Sequence, residues 1–319
     1  MEGRRNGTII LEFILLGDQY LLKHSILFFA LLLIIYNLSL IGNSLILFII
    51  KLDSRLHTPM YFFLFNLSLL EILYISTTVP IILAISLGHE KRISVQGCLE
   101  QIFFIHFLGC SECFLLAIMA YDRYVAICRP LHYGLVMKRS ICFLLAAGCW
   151  TSGFMDALVL TVLTSKLTFC GPNKVANFFC DIPPLLKMAC TDTRTTEAMV
   201  NVAGIMVVLF PFFFIVMSYI WVITNILKIR SAQGRQKAFS TCAAHLTVVS
   251  LFYGTIISIY FRPGSGYASS KDRLVSLVYT VLTPMLNPLI YSLRNKDVKG
   301  ALKKVFGQKC VSLSTKTVT

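Results

Sequence analysis

The sequence predicts an all-α integral membrane protein, a bundle of seven transmembrane helices followed by a short amphipathic eighth helix. Of its 319 residues, 56% are hydrophobic and only 14% are charged, a balance typical of membrane proteins. The apolar residues form seven runs of roughly 20 residues or more, the length that crosses about 30 Å of hydrocarbon. These runs lie near residues 25–50, 59–87, 98–121, 141–163, 197–227, 238–261 and 273–293.

The loop charges predict the orientation and the division of the chain. With the N-terminus outside, 17 lysines and arginines lie on the inner side against 12 on the outer side, as the positive-inside rule favours. The net charge of +14 then faces anionic membrane lipid, and no nucleic acid is needed to explain it. We therefore expect an extracellular N-terminus (1–24), the bundle (25–293), and a cytoplasmic eighth helix and tail (294–319).

Two features fit an outer side exposed to an oxidising compartment. Four of the eleven cysteines fall in predicted outer segments, where disulfides form and persist: Cys98, Cys170, Cys180 and Cys190. The spacing alone leaves their pairing open. Asn6-Gly7-Thr8 matches the acceptor pattern for N-glycosylation on the same side.

Acidic side chains inside the apolar runs are candidates for function, because a charge in hydrocarbon needs a partner. Glu71 lies in the second run and Glu112 in the third. If they meet, a shared proton or a cation such as sodium between them follows. Asp156 lies toward the outer half of the fourth run, and His106 lies at a similar depth on the third. We expect Asp156 and His106 to face each other or a ligand; the alternative is an Asp156 satisfied by Ser152, one turn away.

Polar groups also mark the inner ends of the runs. Asp122 and Arg123 close the third run within MAYDRYVAICRP, and in the seventh run Asn287 and Pro288 are predicted to break the helix ladder beside Tyr291. After the seventh run, apolar residues share one helical face and lysines the other, as in a helix that lies on the inner leaflet. The apolar residues are Val298, Leu302, Val305 and Phe306.

Signatures of other chemistry are missing. The sequence has no P-loop, no H-E-x-x-H and no G-x-S-x-G pattern, so neither an enzyme nor a cofactor is expected. The two halves lack the inverted symmetry of broken helices that favours a transporter. A helix bundle with a cysteine-linked outer loop and a basic inner surface fits signal transfer better.

The motifs together resemble a rhodopsin-like G-protein-coupled receptor and, within that class, an odorant receptor of the tetrapod-type branch. The general class is suggested by Gly42-Asn43, Trp150, Asp122-Arg123-Tyr124, Pro211 with Tyr219, and Asn287 to Tyr291. The olfactory branch is suggested by LHTPMYFFL at 56–64, MAYDRYVAIC at 119–128, SY at 218–219, KAFSTC at 237–242 and PMLNPLIYSLRN at 284–295. Glu71 departs from the aspartate that is commonest in the wider class.

The resemblance implies specific roles. Cys98 would pair with Cys180, and Cys170 with Cys190. Arg123 would be held by Asp122 in the inactive state and released toward Tyr219 and the G protein in the active one. The residues expected to take part in coupling and activation are Asp122, Arg123, Tyr124, Tyr219, Asn287, Pro288 and Tyr291.

The resemblance and the helical periodicity together predict a ligand pocket in the outer half of the bundle. Its residues are Ile105, His106, Gly109, Cys110, Asp156, Ala203, Gly204, Val207, Tyr253, Ile256, Ile257, Tyr260, Leu277 and Thr280. Ile105 occupies the place where amine receptors carry a carboxylate, and most of the set is apolar. We expect a small, neutral, hydrophobic ligand.

The predicted function is that of an odorant receptor in the plasma membrane that binds small hydrophobic volatile molecules and activates a stimulatory, olfactory-type G protein to raise cyclic AMP. Two alternatives are a non-olfactory receptor for a lipid or peptide, and a membrane transporter.

Overall fold

The structure is a computed structural model that describes residues 10–18, 25–87, 91–261, 270–294 and 298–301. Seven helices within these residues are long and apolar enough to cross a membrane, so the predicted seven-helix bundle is confirmed. They are α1 (Ser25–Leu52), α2 (Pro59–Ser86), α3 (Val95–Cys128), α4 (Arg139–Ser165), α5 (Arg194–Leu227), α6 (Ala232–Tyr260) and α7 (270–294). Of the predicted eighth helix, residues 298–301 are described and helical; Leu302, Val305 and Phe306 lie outside the described residues.

Several helices extend beyond the apolar runs, α3 most of all. It begins at Val95, where the Ser94 hydroxyl accepts a hydrogen bond from the Gly97 N–H at 3.0 Å. It continues to Cys128, so Asp122 and Arg123 lie within the helix and not at its end. Hydropathy marks only the part that crosses hydrocarbon, whereas backbone hydrogen bonding continues into the polar interface.

The bundle is organised around α3. This helix packs against α2, α4 and α5 and is more buried than the other six spans. In contrast, α1 and α5 expose large apolar side chains such as Leu31, Ile34, Phe213 and Trp221. Such faces are typical of helices that contact lipid, whereas α3 is surrounded by protein.

Gly153 on α4 sets the close approach of α4 to α3. A Cβ atom at this position would lie 2.2 Å from Ser111 Oγ and 2.5 Å from the Phe107 carbonyl oxygen. Small residues allow helix backbones to pack this closely in membranes. One turn away, Trp150 Nε1 donates to Asn66 Oδ1 at 3.1 Å and links α4 to α2.

Pro288 explains the contact between α1 and α7. Because proline has no N–H, the carbonyl of Pro284 loses its helical partner, and Asn43 Nδ2 donates to that carbonyl at 3.1 Å instead. A Cβ at Gly42 would lie 3.0 Å from Pro288 Cγ, so Gly42 leaves room for the ring. The hydrogen-bond ladder is thus interrupted at Pro288, as predicted, but the helix does not end there: Thr283–Arg294 is continuous, and the irregular turn is the π-helical Val278–Leu282.

A small sheet covers the end of the bundle at which Cys98 lies, here called the disulfide end; the opposite end is called the Arg123 end. Strand β1 (Glu12–Leu15) lies between β2 (Lys91–Ser94), antiparallel to it, and β3 (Lys174–Val175), parallel to it. Phe13 and Leu15 are fully buried. The sequence analysis did not predict this sheet, because its strands come from segments far apart in the chain.

Replacing Gly153 with alanine tests the α3–α4 contact. The added methyl group would overlap backbone as well as side-chain atoms of α3, and we expect destabilisation by about 1–3 kcal/mol, the range typical of overpacking. Gly148→Ala is the matched control, because a Cβ at Gly148, on the same helix, meets nothing within 4 Å. Thermal unfolding of the two purified variants measures the difference, and equal melting temperatures would contradict this account.

Candidate functional site

A cavity of about 190 Å³ lies between α3, α4, α5, α6 and α7 at the disulfide end. Ten of the fourteen predicted pocket residues line it: Ile105, His106, Gly109, Cys110, Asp156, Ala203, Gly204, Val207, Ile256 and Tyr260. The walls are mainly apolar, and the volume is below the roughly 300–1,000 Å³ of pockets that take drug-sized ligands. The arrangement suits a small molecule.

Four predicted pocket residues lie outside the cavity lining. Tyr253 is fully buried, and its hydroxyl donates to the Cys113 carbonyl oxygen at 3.0 Å. Thr280 turns its hydroxyl back to the Ser276 carbonyl at 2.7 Å. Ile257 and Leu277 pack against the hydrophobic core. Ile256 and Tyr260 reach the cavity whereas Ile257 does not, because consecutive helical residues are rotated by about 100°.

The α5 wall is shaped by a π-helical segment, Gly204–Leu209, which comes just before Pro211. Proline cannot donate a backbone hydrogen bond, so the register changes there. A Cβ at Gly204 would lie 3.2 Å from the Phe261 ring. The glycine thus lets Phe261, at the end of α6, reach the cavity that both residues line.

The loop on both sides of Cys180 closes the cavity, and sequence reasoning missed this contribution. Asp181 lines the cavity, with Ala176, Asn177, Phe179 and Pro184 from the same loop. Asp181 Oδ1 accepts from the Ile182 N–H at 2.8 Å, and Oδ2 accepts from the Tyr260 hydroxyl at 2.9 Å. The available signal was the position of Asp181 next to Cys180, because a bond from Cys180 to α3 draws the next residue into the bundle.

Asp181 is buried, and its surroundings act on its pKa in opposite directions. Burial raises the pKa of the carboxyl above its ordinary value, whereas His106, the Tyr260 hydroxyl and the Ile182 N–H hold it down. The first effect disfavours the charged form by desolvation, and the others favour it by charge and hydrogen bonding. Tyr260 therefore matters most when Asp181 is ionised.

Asp156 and His106 line the same cavity. His106 is close enough to interact electrostatically with both Asp156 and Asp181. His106 Nδ1 lies 2.9 Å from the Ile102 carbonyl oxygen. The alternative in which Ser152 satisfies Asp156 is not observed: within the described chain no hydrogen bond joins them, and Ser152 lines a separate groove on α4.

Glu71 and Glu112 lie near each other in the interior of the bundle, which is the condition under which the sequence predicts a shared proton or a cation. Both side chains are buried, and the two carboxyl groups are close enough to interact electrostatically. Asn287 Nδ2 donates to Glu71 Oε1. Within the described residues, Glu71 Oε2 and Glu112 Oε1 are buried without a donor. Two carboxyl oxygens that are buried close together without a donor are unfavourable when both groups are ionised. A shared proton or a small cation between them would remove this cost.

The Arg123 end holds a second polar cluster. Arg123 Nη2 lies 3.2 Å from Asp122 Oδ2, and the Tyr133 hydroxyl donates to Asp122 Oδ1 at 2.8 Å. Asp122 is 1% exposed, so water does not solvate its charge. Arg123 and Tyr133 compensate that charge instead. Tyr124 lies beside this pair, with the Arg129 guanidinium 6.0 Å from its ring centre.

Tyr219 and Tyr291 are both buried near this cluster. The Tyr219 hydroxyl lies 2.8 Å from His245 Nδ1, and the two rings stack with centres 5.6 Å apart. The Tyr291 hydroxyl is buried without a hydrogen-bond partner in the part of the chain that the structure describes. The structure thus brings Tyr219 and Tyr291 to the Arg123 end of the bundle but leaves Tyr219 paired with His245.

Comparison with known proteins decides the family. The family model for the olfactory receptor matches residues 32–309. The chain belongs to the olfactory receptor family. This receptor is 47% identical to olfactory receptor 1E16 of Mus musculus over 310 residues, which cover 97% of the chain and 99% of that relative. It is 49% identical to the human olfactory receptor 10A7 over 304 residues, 95% of the chain and 96% of that relative.

The family resemblance found in the sequence is therefore confirmed over nearly the whole chain. The relatives are receptors and not enzymes, and the seven apolar helices make this olfactory receptor a multi-pass membrane protein. Of the residues that the resemblance singled out, Tyr219 and Tyr291 lie near Arg123, whereas Asn287 contacts Glu71 in the interior of the bundle. The cavity and the Arg123 end are joined by α3, which contributes residues to both.

Two disulfides fix the disulfide end of the receptor. Cys98 at the start of α3 bonds to Cys180, and Cys170 bonds to Cys190 within the loop before α5. Gln101 Oε1 also accepts from the Cys180 N–H at 2.9 Å, next to the first bond. The loop that carries Asp181 is thereby held against α3. The predicted glycosylation residue, Asn6, lies outside the described residues.

Replacing Tyr260 with phenylalanine tests the link between Asp181 and α6. We expect a loss of about 1–3 kcal/mol at pH 7.5, the cost of leaving a buried acceptor without its donor. The loss should shrink as the pH falls through the raised pKa of Asp181, because a protonated carboxyl no longer needs that donor. Thermal unfolding of the purified receptor at several pH values measures this difference.

Tyr36→Phe serves as the control, since no hydrogen bond joins the Tyr36 hydroxyl to another described residue. The account fails if the difference between Tyr260→Phe and the unmodified receptor stays constant as the pH falls from 7.5 to the ordinary pKa of an aspartic acid, about 4.

Proposed function

We propose that this receptor binds a small hydrophobic odorant in the cavity and activates a stimulatory heterotrimeric G protein of the olfactory type, which raises cyclic AMP. The observation that carries the proposal is the position of α3. This central helix supplies Ile105, His106, Gly109 and Cys110 to the cavity and Asp122 with Arg123 to the opposite end. A change at one end can thus reach the other through a single rigid element.

The cavity supports the choice of a small ligand. Its apolar residues gain free energy by burying area at about 25 cal/mol per Å². Contacts of this kind discriminate between ligands by only about 1–3 kcal/mol per methylene group. The receptor is therefore expected to respond to a group of related molecules.

The Arg123 end supports a resting state that a ligand can shift. Arg123 is next to Asp122, and Tyr219 is held by His245. In the proposed active state Arg123 leaves Asp122 and is exposed to the G protein. Tyr219 is released from His245 and turns toward Arg123. The ligand favours this state by binding it more tightly than the resting state.

The proposed orientation places the disulfide end outside the plasma membrane. The two disulfides are of the kind that persists in oxidising compartments, and Arg123 with the basic segment after α5 would face the cytoplasm. The amino-terminal segment, with Asn6, would then be extracellular.

Replacing Arg123 with alanine tests the proposed signal. We expect ligand-evoked cyclic AMP to fall at least tenfold, because the proposed contact with the G protein is lost, while the amount of receptor at the cell surface stays the same. A panel of volatile molecules applied to cells that express the receptor provides the stimulus.

Arg194→Ala is the matched control, since Arg194 is 90% exposed at the disulfide end and outside the cavity. An undiminished response in Arg123→Ala, or an equal loss in Arg194→Ala, would refute the proposed role of Arg123.

A further inference from the structure

We propose that the odorant of this receptor carries an amine, cationic at neutral pH, that donates hydrogen bonds to Asp156 and His106. The inference rests on the proposed function of the cavity and narrows its ligand class. It replaces the expectation of a neutral ligand, which followed from Ile105 and gave no weight to the carboxylate on α4.

Asp156 is a carboxylate in a membrane-spanning helix that receives no hydrogen bond or ion pair from any other described residue. It lines the cavity, and both oxygens can accept hydrogen bonds. A charged group in a site of low dielectric that lacks a donor is unfavourable. A bound ligand that supplies a donor would remove this cost.

His106 provides a second acceptor on the neighbouring helix, α3. A carbonyl oxygen can only accept, so the Nδ1 atom that lies 2.9 Å from the Ile102 carbonyl carries a proton. In the neutral ring this leaves Nε2 as an acceptor. No ion pair of 4.0 Å or less joins His106 to Asp156 in the described chain, although the two residues interact electrostatically. Both residues line the cavity, so a ligand group bound there can contact both.

An ammonium group matches these two acceptors. It has up to three N–H donors and no acceptor, so one ligand nitrogen can donate to Asp156 and to His106 together. A hydroxyl has one O–H donor and can satisfy only one of them. A hydrocarbon of the same shape satisfies neither. The body of the ligand would lie against apolar residues such as Val207 and Ile256, which also line the cavity.

The other charged residues of the cavity are already compensated. Asp181 accepts hydrogen bonds from Tyr260 and from the Ile182 N–H. Arg273 Nη2 lies 2.8 Å from Asp18 Oδ2. Among the described acids that line the cavity, Asp156 is the one that receives no hydrogen bond or ion pair from the protein, and the negative charge of its carboxylate favours a cationic ligand.

A binding experiment on the purified receptor in lipid nanodiscs tests the inference. The probes are matched triplets of five to ten carbons, linear, branched, cyclic and aromatic, in which only the end group changes from NH₂ to OH to CH₃. Apparent affinities come from the concentration dependence of the melting temperature. We expect at least one amine to bind about 10- to 100-fold more tightly than its alcohol, as for a charge-assisted hydrogen bond.

The variant Asp156→Asn keeps the size of the side chain but removes its charge. We expect amine affinity to fall about 10- to 100-fold and alcohol affinity to stay within about threefold. Asp192→Asn is the control, because Asp192 is exposed, pairs with Arg194 and lies outside the cavity. The inference is overturned if no amine binds more tightly than its alcohol, or if Asp156→Asn leaves the amine preference unchanged.

Because binding is measured without a G protein, this inference and the proposed function can fail separately. Amine binding that depends on Asp156, without a cyclic AMP response, would support the ligand class and refute the signalling proposal. A cyclic AMP response to alcohols or hydrocarbons, without a preference for amines, would refute the ligand class and leave the signalling proposal intact.

Discussion

The structure depends on one constraint: a polar group within hydrocarbon must find its partner inside the protein, since no water is available there. Asn43 meets this constraint by donating to the carbonyl that Pro288 leaves free, and Trp150 meets it by donating to Asn66. Each of these bonds joins two helices. Polar residues that are few in the sequence thus determine which helices are neighbours.

The same constraint separates structural polar residues from functional ones. Asn43 and Asn66 are satisfied by the fold itself. Asp156 and the Nε2 atom of His106 lack such partners in the described chain, and both residues lie at a cavity. Unsatisfied groups are not confined to the cavity, since Glu71 Oε2, Glu112 Oε1 and the Tyr291 hydroxyl are buried without a partner elsewhere among the described residues. At the cavity, the proposed ligand supplies the missing donors.

Much of the fold could be predicted from the sequence, because the apolar runs depend on the thickness of the membrane and not on contacts between distant residues. The positions of α1 to α7 followed from apolar run length, and the family followed from short motifs. The ends of the helices did not follow from run length, since α3 continues past its apolar run to Cys128. The sheet could not be predicted from the sequence either. The pairing of Ile14 with Lys174 depends on tertiary structure and leaves no periodic pattern in the sequence.

The site was predictable to the extent that helical periodicity applies. Residues on α3 and α5 were placed correctly with respect to the cavity, whereas Ile257 and Leu277 show that an error of one residue rotates a side chain away from it. Asp181 was missed because a loop has no period. Its position depends on the bond between Cys98 and Cys180, and geometry of that kind cannot be derived from spacing.

The position of β1 has a consequence for biosynthesis. Its partner β3 lies about 160 positions later in the chain, and Asp18 pairs with Arg273, which belongs to the last transmembrane helix. The amino-terminal segment is synthesised before α7, so Asp18 cannot pair with Arg273 until most of the chain has been made. Contacts between residues so distant in sequence form late. The contacts of the amino-terminal segment at the disulfide end are therefore completed late, and a receptor truncated before α7 would lack Arg273, which pairs with Asp18.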